Sequence, residues 1–303
     1  MYNNTAIENQ KNESSRIYTL FYSFFLIPFM IAIFGALFFL LFRFVTFETN
    51  DASALLNQVK IGSASKRWQS AFELSKVFNN PDRIPSDASF KNQMVSIYNH
   101  SIHDDPLVRA YLALAMGMTR DEFYSDVLLK GLNDENLESR LAAVQAVGMI
   151  GAHNAEKRLK QIVKNSDYLN ERLAATISLG LIGDKNSVPL LRDLLDDEEP
   201  NIQWDAAVAL AKMGDASGAF IIESLLDRQY LNAFPQVDEA EKHQAILVAI
   251  EVSSMLKDDR FETKLIALAE SDQNLKVRNA AIKTLETSSV SYTHLTLPTI
   301  LHV

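Results

Sequence analysis

One column of residues recurs along most of the chain, at Arg109, Arg140, Arg172, Gln203, His243 and Arg278, with spacings of 31, 32, 31, 40 and 35. Around it align VRAYLALAMGM, SRLAAVQAVGMIG, ERLAATISLGLIG, IQWDAAVALAKMG, KHQAILVAIEV and KVRNAAIKTLE. Three residues after the column stand Leu112, Ala143, Ala175, Ala206, Ile246 and Ala281, and seven after it Met116, Val147, Leu179, Leu210, Ile250 and Leu285. Offsets of three, four and seven share one helical face, so each segment is a helix with one apolar side. Internal repetition at just over 30 residues constrains the fold more than any single motif, because a unit that small cannot bury its own apolar face and must stack on its neighbours.

Between these helices lie shorter apolar runs, Phe123 to Leu132, Ala155 to Val163, Val188 to Leu195, Phe220 to Leu226 and Phe261 to Leu268, giving two helices per unit. The punctuation agrees with that division. Asp105-Pro106 has the form of an N-cap followed by proline at the first helical position, and Gly151, Gly183 and Gly214 close their helices. Asp134, Asp167, Asp196, Asp227 and Asp272 recur near the turns between units. There a carboxylate can accept the orphan amide protons of the next helix and pair with the column arginine.

The pattern VR-x-A-x3-AL-G with its turn aspartates resembles the short HEAT-like repeats of bacterial proteins, the type named after phycobilisome lyases. The tetratricopeptide and ankyrin signatures are missing. The resemblance covers residues 105–287, with a degenerate unit before it around Lys66-Arg67-Trp68 and Ala71 to Leu74. It implies an all-α fold, an α-solenoid or superhelix of HEAT-like helix pairs. The resemblance also brings two enzyme types into view. Hydroxylases resembling deoxyhypusine hydroxylase hold a di-iron centre through His-Glu pairs, and this sequence has no His-Glu dipeptide. Phycobilin lyases hold a tetrapyrrole in a groove, and no residue here singles out such a site. A cofactor-binding enzyme of either type is the alternative to a non-enzymatic scaffold; no catalytic, cofactor-binding or metal-ligating residue is assigned and no cofactor is expected.

The first part of the chain is a different material. Ile17 to Phe42 carries no charge and holds 8 phenylalanines. As one helix it would span about 39 Å, more than the ~30 Å hydrocarbon core, with Arg16 and Arg43 at its ends. The expectation is therefore one transmembrane helix over 17–45, preceded by an N-terminal tail at 1–16 and followed by juxtamembrane helices and the degenerate repeat at 46–104. A cleaved signal peptide with its site near Ala52-Ser53-Ala54 is the weaker reading, since the apolar run exceeds a signal core of roughly 7–15 residues. The positive-inside count is a tie, and a short tail before one anchor places the body outside the cytoplasm, as in a periplasmic single-pass protein.

Charge narrows the partners. The first 50 residues are neutral, so the net charge of -9 belongs to the remainder. A body of that sign with no basic stripe does not suit nucleic acid. There is no cysteine, which removes disulfides and thiolate chemistry. His100-x2-His103-Asp104-Asp105 is the one local cluster resembling a metal site, and its plainer reading is a polar helix end leading into an aspartate cap. His243 stands in the arginine column as a structural variant. The acidic run Asp196-Asp197-Glu198-Glu199 is a solvated turn before a helix start.

Binding is the remaining role: a protein partner, membrane-associated if the chain is anchored, with the bilayer itself held by 17–45. Positions two, six and nine after the column are mostly small or apolar: Tyr111, Ala115 and Met118; Ala142, Ala146 and Met149; Ala174, Ser178 and Leu181; with Asp205 and Lys212 in the next unit. They form either the floor of a groove or the packing surface against a neighbouring helix. The long spacing from Gln203 to His243 holds an insertion, Gln229 to Glu241, in which Tyr230 and Phe234 are either contact points or a cover over the core. Residues 288–303 carry no charge and fit no repeat; they resemble the translated adapter tails found at the ends of open reading frames, which would mean that further repeats belong there.

Overall fold

The computed structural model describes residues 25–45, 51–256 and 258–289. Every regular element among them is helical, and the chain divides into two compact units, Met1–Thr49 and Asn50–Val303.

The first unit contributes α1, Ile27–Val45, an apolar helix whose Phe34, Phe38 and Leu41 are exposed. The transmembrane expectation over 17–45 is not supported. Residues 17–24 lie outside the described residues, and the charge-free part of α1, Ile27–Phe42, reaches only about 24 Å against a hydrocarbon core of ~30 Å. Among the described residues no helix is long and apolar enough to cross a membrane. With the anchor go the single-pass localisation, the bilayer as a partner and the periplasmic placement that depended on it. The proposed adapter tail also lies outside the described residues, apart from Ser288 and Ser289 at the end of the last helix.

The second unit is a row of helix pairs. Its helices are α2 Ala52–Ile61, α3 Ala64–Val77, α4 Ala88–His100, α5 Pro106–Met118, α6 Ser125–Gly131, α7 Leu137–Ile150, α8 Glu156–Asn165, α9 Leu169–Ile182, α10 Val188–Asp193, α11 Pro200–Lys212, α12 Ala219–Leu225, α13 Arg228–Asn232, α14 Glu239–Leu256, α15 Glu262–Ser271 and α16 Leu275–Ser289. The column helices stack in chain order, α3 on α5, then α7, α9, α11, α14 and α16, each flanked by a shorter companion such as α8 against α9. The residues three and seven after the column fill the seam: Leu112, Ala143, Ala175, Ala206, Ile246 and Ala281 are fully buried, as are Met116, Val147, Leu179 and Leu210.

Two local devices set the spacing. Eight residues after the column stand Gly117, Gly148 and Gly180, each against the residue six after the column in the next unit, Ala146, Ser178 and Ala209. A Cβ at Gly180 would sit 2.5 Å from that of Ala209, so a hydrogen at this position is what lets α9 and α11 touch backbone to backbone. The second device is an aspartate that caps a short 3₁₀ turn after four of the column helices, α5, α9, α11 and α14, while α7 ends at Gly151-Ala152. Gly183 takes the left-handed conformation at φ 70°, and Asp184 then caps a short 3₁₀ turn by accepting from the Asn186 amide at 2.9 Å. Asp121, Asp215 and Asp258 do the same for Phe123, Ser217 and Arg260.

Candidate functional site

The column arginines are structural. Arg109 donates to Asp134 at 3.1 Å, and Arg172 donates to Asp197 at 2.5 Å and to the Val163 carbonyl at 3.1 Å. Arg140 turns instead to Glu171 at 2.5 Å and to the Asp134 carbonyl at 2.6 Å, while Gln203 keeps only the carbonyl contact, to Asp197 at 2.6 Å. Arg278 donates to the Asp272 carbonyl, and Arg67, at the equivalent place in α3, pairs with Asp104. The turn aspartates thus tie units together and close the turn that leads into the next helix, as Asp134 does by accepting the amide of Asn136, the N-cap of α7. The register differs in two places from the sequence expectation: Asp197 rather than Asp196 meets Arg172, and Asp167 gives way to Glu171.

His243 leaves a gap in this ladder, and a residue just before the insertion fills it. Arg228, at the start of α13, donates two bonds to Asp272 at 2.5 and 2.7 Å. Burial raises the Asp272 carboxyl, but Arg228 and the Asn274 amide outweigh it and hold the group below the usual carboxylate range. No signal in the repeat alignment marks Arg228, because it lies outside the repeated segments.

The insertion's aromatic residues cover the core rather than reach outward. Tyr230 and Phe234 pack with buried Trp204 at ring-centroid distances of 6.2 and 5.0 Å, and the Trp204 indole donates to the Tyr230 hydroxyl at 3.1 Å. The His100 to Asp105 cluster is likewise engaged. His100 Nδ1 lies 2.6 Å from the Ser96 carbonyl, Asp104 pairs with Arg67, and Asp105 caps Leu107. Among the described residues no three His, Cys, Asp or Glu side chains gather as a metal site.

An open polar cleft of about 350 Å³ lies at the turn between α8 and α9, lined by Arg140, Arg158, Gln161, Asn165, Tyr168 and Glu171. Arg140 and Glu171 are committed to each other there.

The expected groove floor separates into two registers. Positions two and six after the column are largely packing surface: Ala115, Ala142, Ala146, Ala174 and Ser178 are buried, and Ser178, 1% exposed, donates to the Val144 carbonyl at 2.8 Å. Close helix approach at the glycine positions draws them into the seam, so Ser178 is not a groove residue. The open face lies at positions five and nine, 140° and 180° around each helix. In α9 it presents Ile177 and Leu181, 45% and 49% exposed. On either side, half-buried Leu114 and Met118 of α5, Met149 of α7 with Leu141 from position one, and Val208 of α11 extend an aliphatic stripe over four column helices, broken by exposed Gln145 at position five of α7 and Lys212 at position nine of α11, with Tyr111 at its edge. Sequence reasoning picked Met118, Met149 and Leu181 but missed Ile177 and Val208; position five was available as the neighbour of position nine on the wheel.

At the α11 end the stripe carries charge. Asp205 stands at position two, where the other units have Tyr111, Ala142, Ala174, Ala245 and Ala280. Burial pushes its carboxyl up to about 7, and no hydrogen bond or opposite charge offsets that. Lys212, two turns further along the same face, is exposed. Neither makes an ion pair among the described residues. A half-buried carboxyl without a partner can take up a proton or a cation; no hydroxyl or imidazole bonds to it.

Comparison with known proteins agrees with this architecture. The family described as HEAT repeats matches residues 97–179 and 156–231. A solved structure, the complex of CpcE and CpcF of phycocyanin lyase from Nostoc sp. PCC7120, is similar at a TM-score of 0.55 and 17% identity, covering 80% of this chain and 89% of that one. Human deoxyhypusine hydroxylase in complex with glycerol is similar at a TM-score of 0.35 and 15% identity, covering 79% of this chain and 84% of that one. No curated protein sequence matches. The chain carries HEAT-like repeats in an all-helical solenoid, and the likeness to the lyase is one of fold.

Proposed function

We propose that the second unit is a non-enzymatic scaffold that binds a protein partner along the aliphatic stripe of α5, α7, α9 and α11. The observation that carries this is the exposure of Ile177 and Leu181 between half-buried apolar side chains of the neighbouring column helices. A contiguous exposed apolar surface rimmed by polar residues marks an interaction site more often than an idle surface. Solenoids present such extended faces, and methionines at Met118 and Met149 adapt to varied partners. The similar lyase structure is itself a complex of two different chains.

A photo-crosslinking residue at Leu181 or Met149, introduced into the full chain in its native cells, tests the reading. The same residue at exposed Gln161 on companion helix α8 serves as control. A discrete partner captured from the first two positions, and lost when Ile177→Glu is added, is the expected result. Equal capture at Gln161 would remove the face from consideration. Stoichiometric iron or a bound tetrapyrrole in the purified protein would favour a cofactor-binding enzyme instead.

A further inference from the structure

Asp205 is anomalous by the standards of its own repeat register. Every aligned position holds an uncharged residue, four of them alanine, and only here does a carboxylate stand at the border between the packed seam and the open stripe. The carboxylates of the turns are satisfied: Asp134 by Arg109, Asp197 by Arg172 and Asp272 by Arg228. Asp205 has no such partner among the described residues, although Lys212 lies on the same helix. Seven residues separate them, about 10.5 Å along the axis, too far for contact. The other charges on column helices nearby are engaged elsewhere, Arg172 with Asp197 and Lys242 with Glu239.

Asp205 is an unpaired, half-buried carboxylate beside an apolar face, and a local rule broken without internal compensation is expected where a ligand supplies the compensation. We infer that the docked partner is a basic amphipathic segment, its apolar side chains on Ile177, Leu181 and Val208 and an arginine or lysine placed on Asp205. This rests on the docking reading above and adds the charge of the partner to it. A neutral apolar segment would cover Asp205 and leave it more costly; an acidic one would oppose it, as it would the -9 charge of the chain. A cation arriving from the partner turns the defect into a specific contact, since a desolvated pair excludes wrong partners more strongly than apolar contact can.

The test uses the full chain and a panel of 15-residue amphipathic helical peptides with leucines on one face. Arginine is walked through the positions flanking that face, and each peptide has a twin with glutamine for arginine. Fluorescence anisotropy gives the affinities. At least one arginine peptide should bind the native chain ten-fold or more tighter than its glutamine twin. Asp205→Asn should erase that difference while Asp205→Glu keeps part of it. Thermal unfolding of Asp205→Asn checks that the loss is not a loss of fold. If arginine and glutamine twins bind alike, or Asp205→Asn leaves the difference intact, the charge inference fails while the apolar docking face stands. If no peptide binds, or if Leu181→Asp leaves binding unchanged, the docking face fails and the inference falls with it.

Discussion

Arg109 donates to Asp134 at 3.1 Å, and the same carboxylate oxygen accepts the Asn136 amide at 2.9 Å, so one aspartate closes both a bond between units and the start of α7. Both side chains are nearly buried. Removing either partner leaves a buried charge unmatched, which costs roughly 3 kcal/mol, and Asp134→Ala also forfeits the bond that holds the amide of Asn136, the N-cap of α7, about 1 kcal/mol more. Urea unfolding of Asp134→Ala should therefore show a larger loss than Arg109→Met. Equal or smaller loss for Asp134→Ala would mean that the turn bond to Asn136 contributes nothing.

The rescue of the His243 gap by Arg228 predicts a stability effect outside the repeats. Arg228→Met strands the buried Asp272 and should cost roughly 3 kcal/mol at neutral pH. Because the folded carboxyl titrates below its unfolded value of about 3.9, the pair's contribution is present above pH 4 and is lost as pH falls through the folded value. The gap between native chain and variant should narrow below pH 4 in chemical unfolding. A gap independent of pH would show that Arg228 acts through packing alone.

Contact between α9 and α11 depends on the missing Cβ at Gly180. Gly180→Ala gains helix propensity, about 1 kcal/mol, yet must push apart two backbones at a 2.5 Å approach to Ala209. Overpacking of this kind costs typically 1–3 kcal/mol, so net destabilisation is expected. A midpoint in urea at or above that of the native chain would show that the seam yields more easily than its geometry implies.

The stacking helices were legible because their chemistry repeats: a residue needed in the seam, such as Leu112 or Ala143, is needed again in the next unit, and period and offset reveal it. Single events were not. Arg228 substitutes for a column arginine from another element, and only the folded chain brings it to Asp272. Ser178 and Leu181 looked alike in sequence, both near the small-residue strip, but a rotation of 60° around α9 separates a seam residue from an open one. The membrane expectation is not met among the described residues, where no helix is long and apolar enough to cross a membrane. Asp205 was placed on the candidate face by its register, while its lack of a partner became visible only with its neighbours in place.

Asp205 predicts the opposite pH dependence to Asp272. Its carboxyl titrates near 7 when folded and near 3.9 when unfolded, so the folded chain binds the extra proton between those values. Stability on this account is highest below pH 4 and falls as pH rises to 7, by about 1.4 kcal/mol per unit and roughly 4 kcal/mol at most. Asp205→Asn removes the charge without removing the shape. It should raise the unfolding midpoint at pH 8 and do little at pH 4, so the difference between the two proteins widens with pH. A difference that stays constant, or one in which the variant is weaker at pH 8, would mean that the native carboxylate has a compensating partner in solution and that the face is not waiting for a cation.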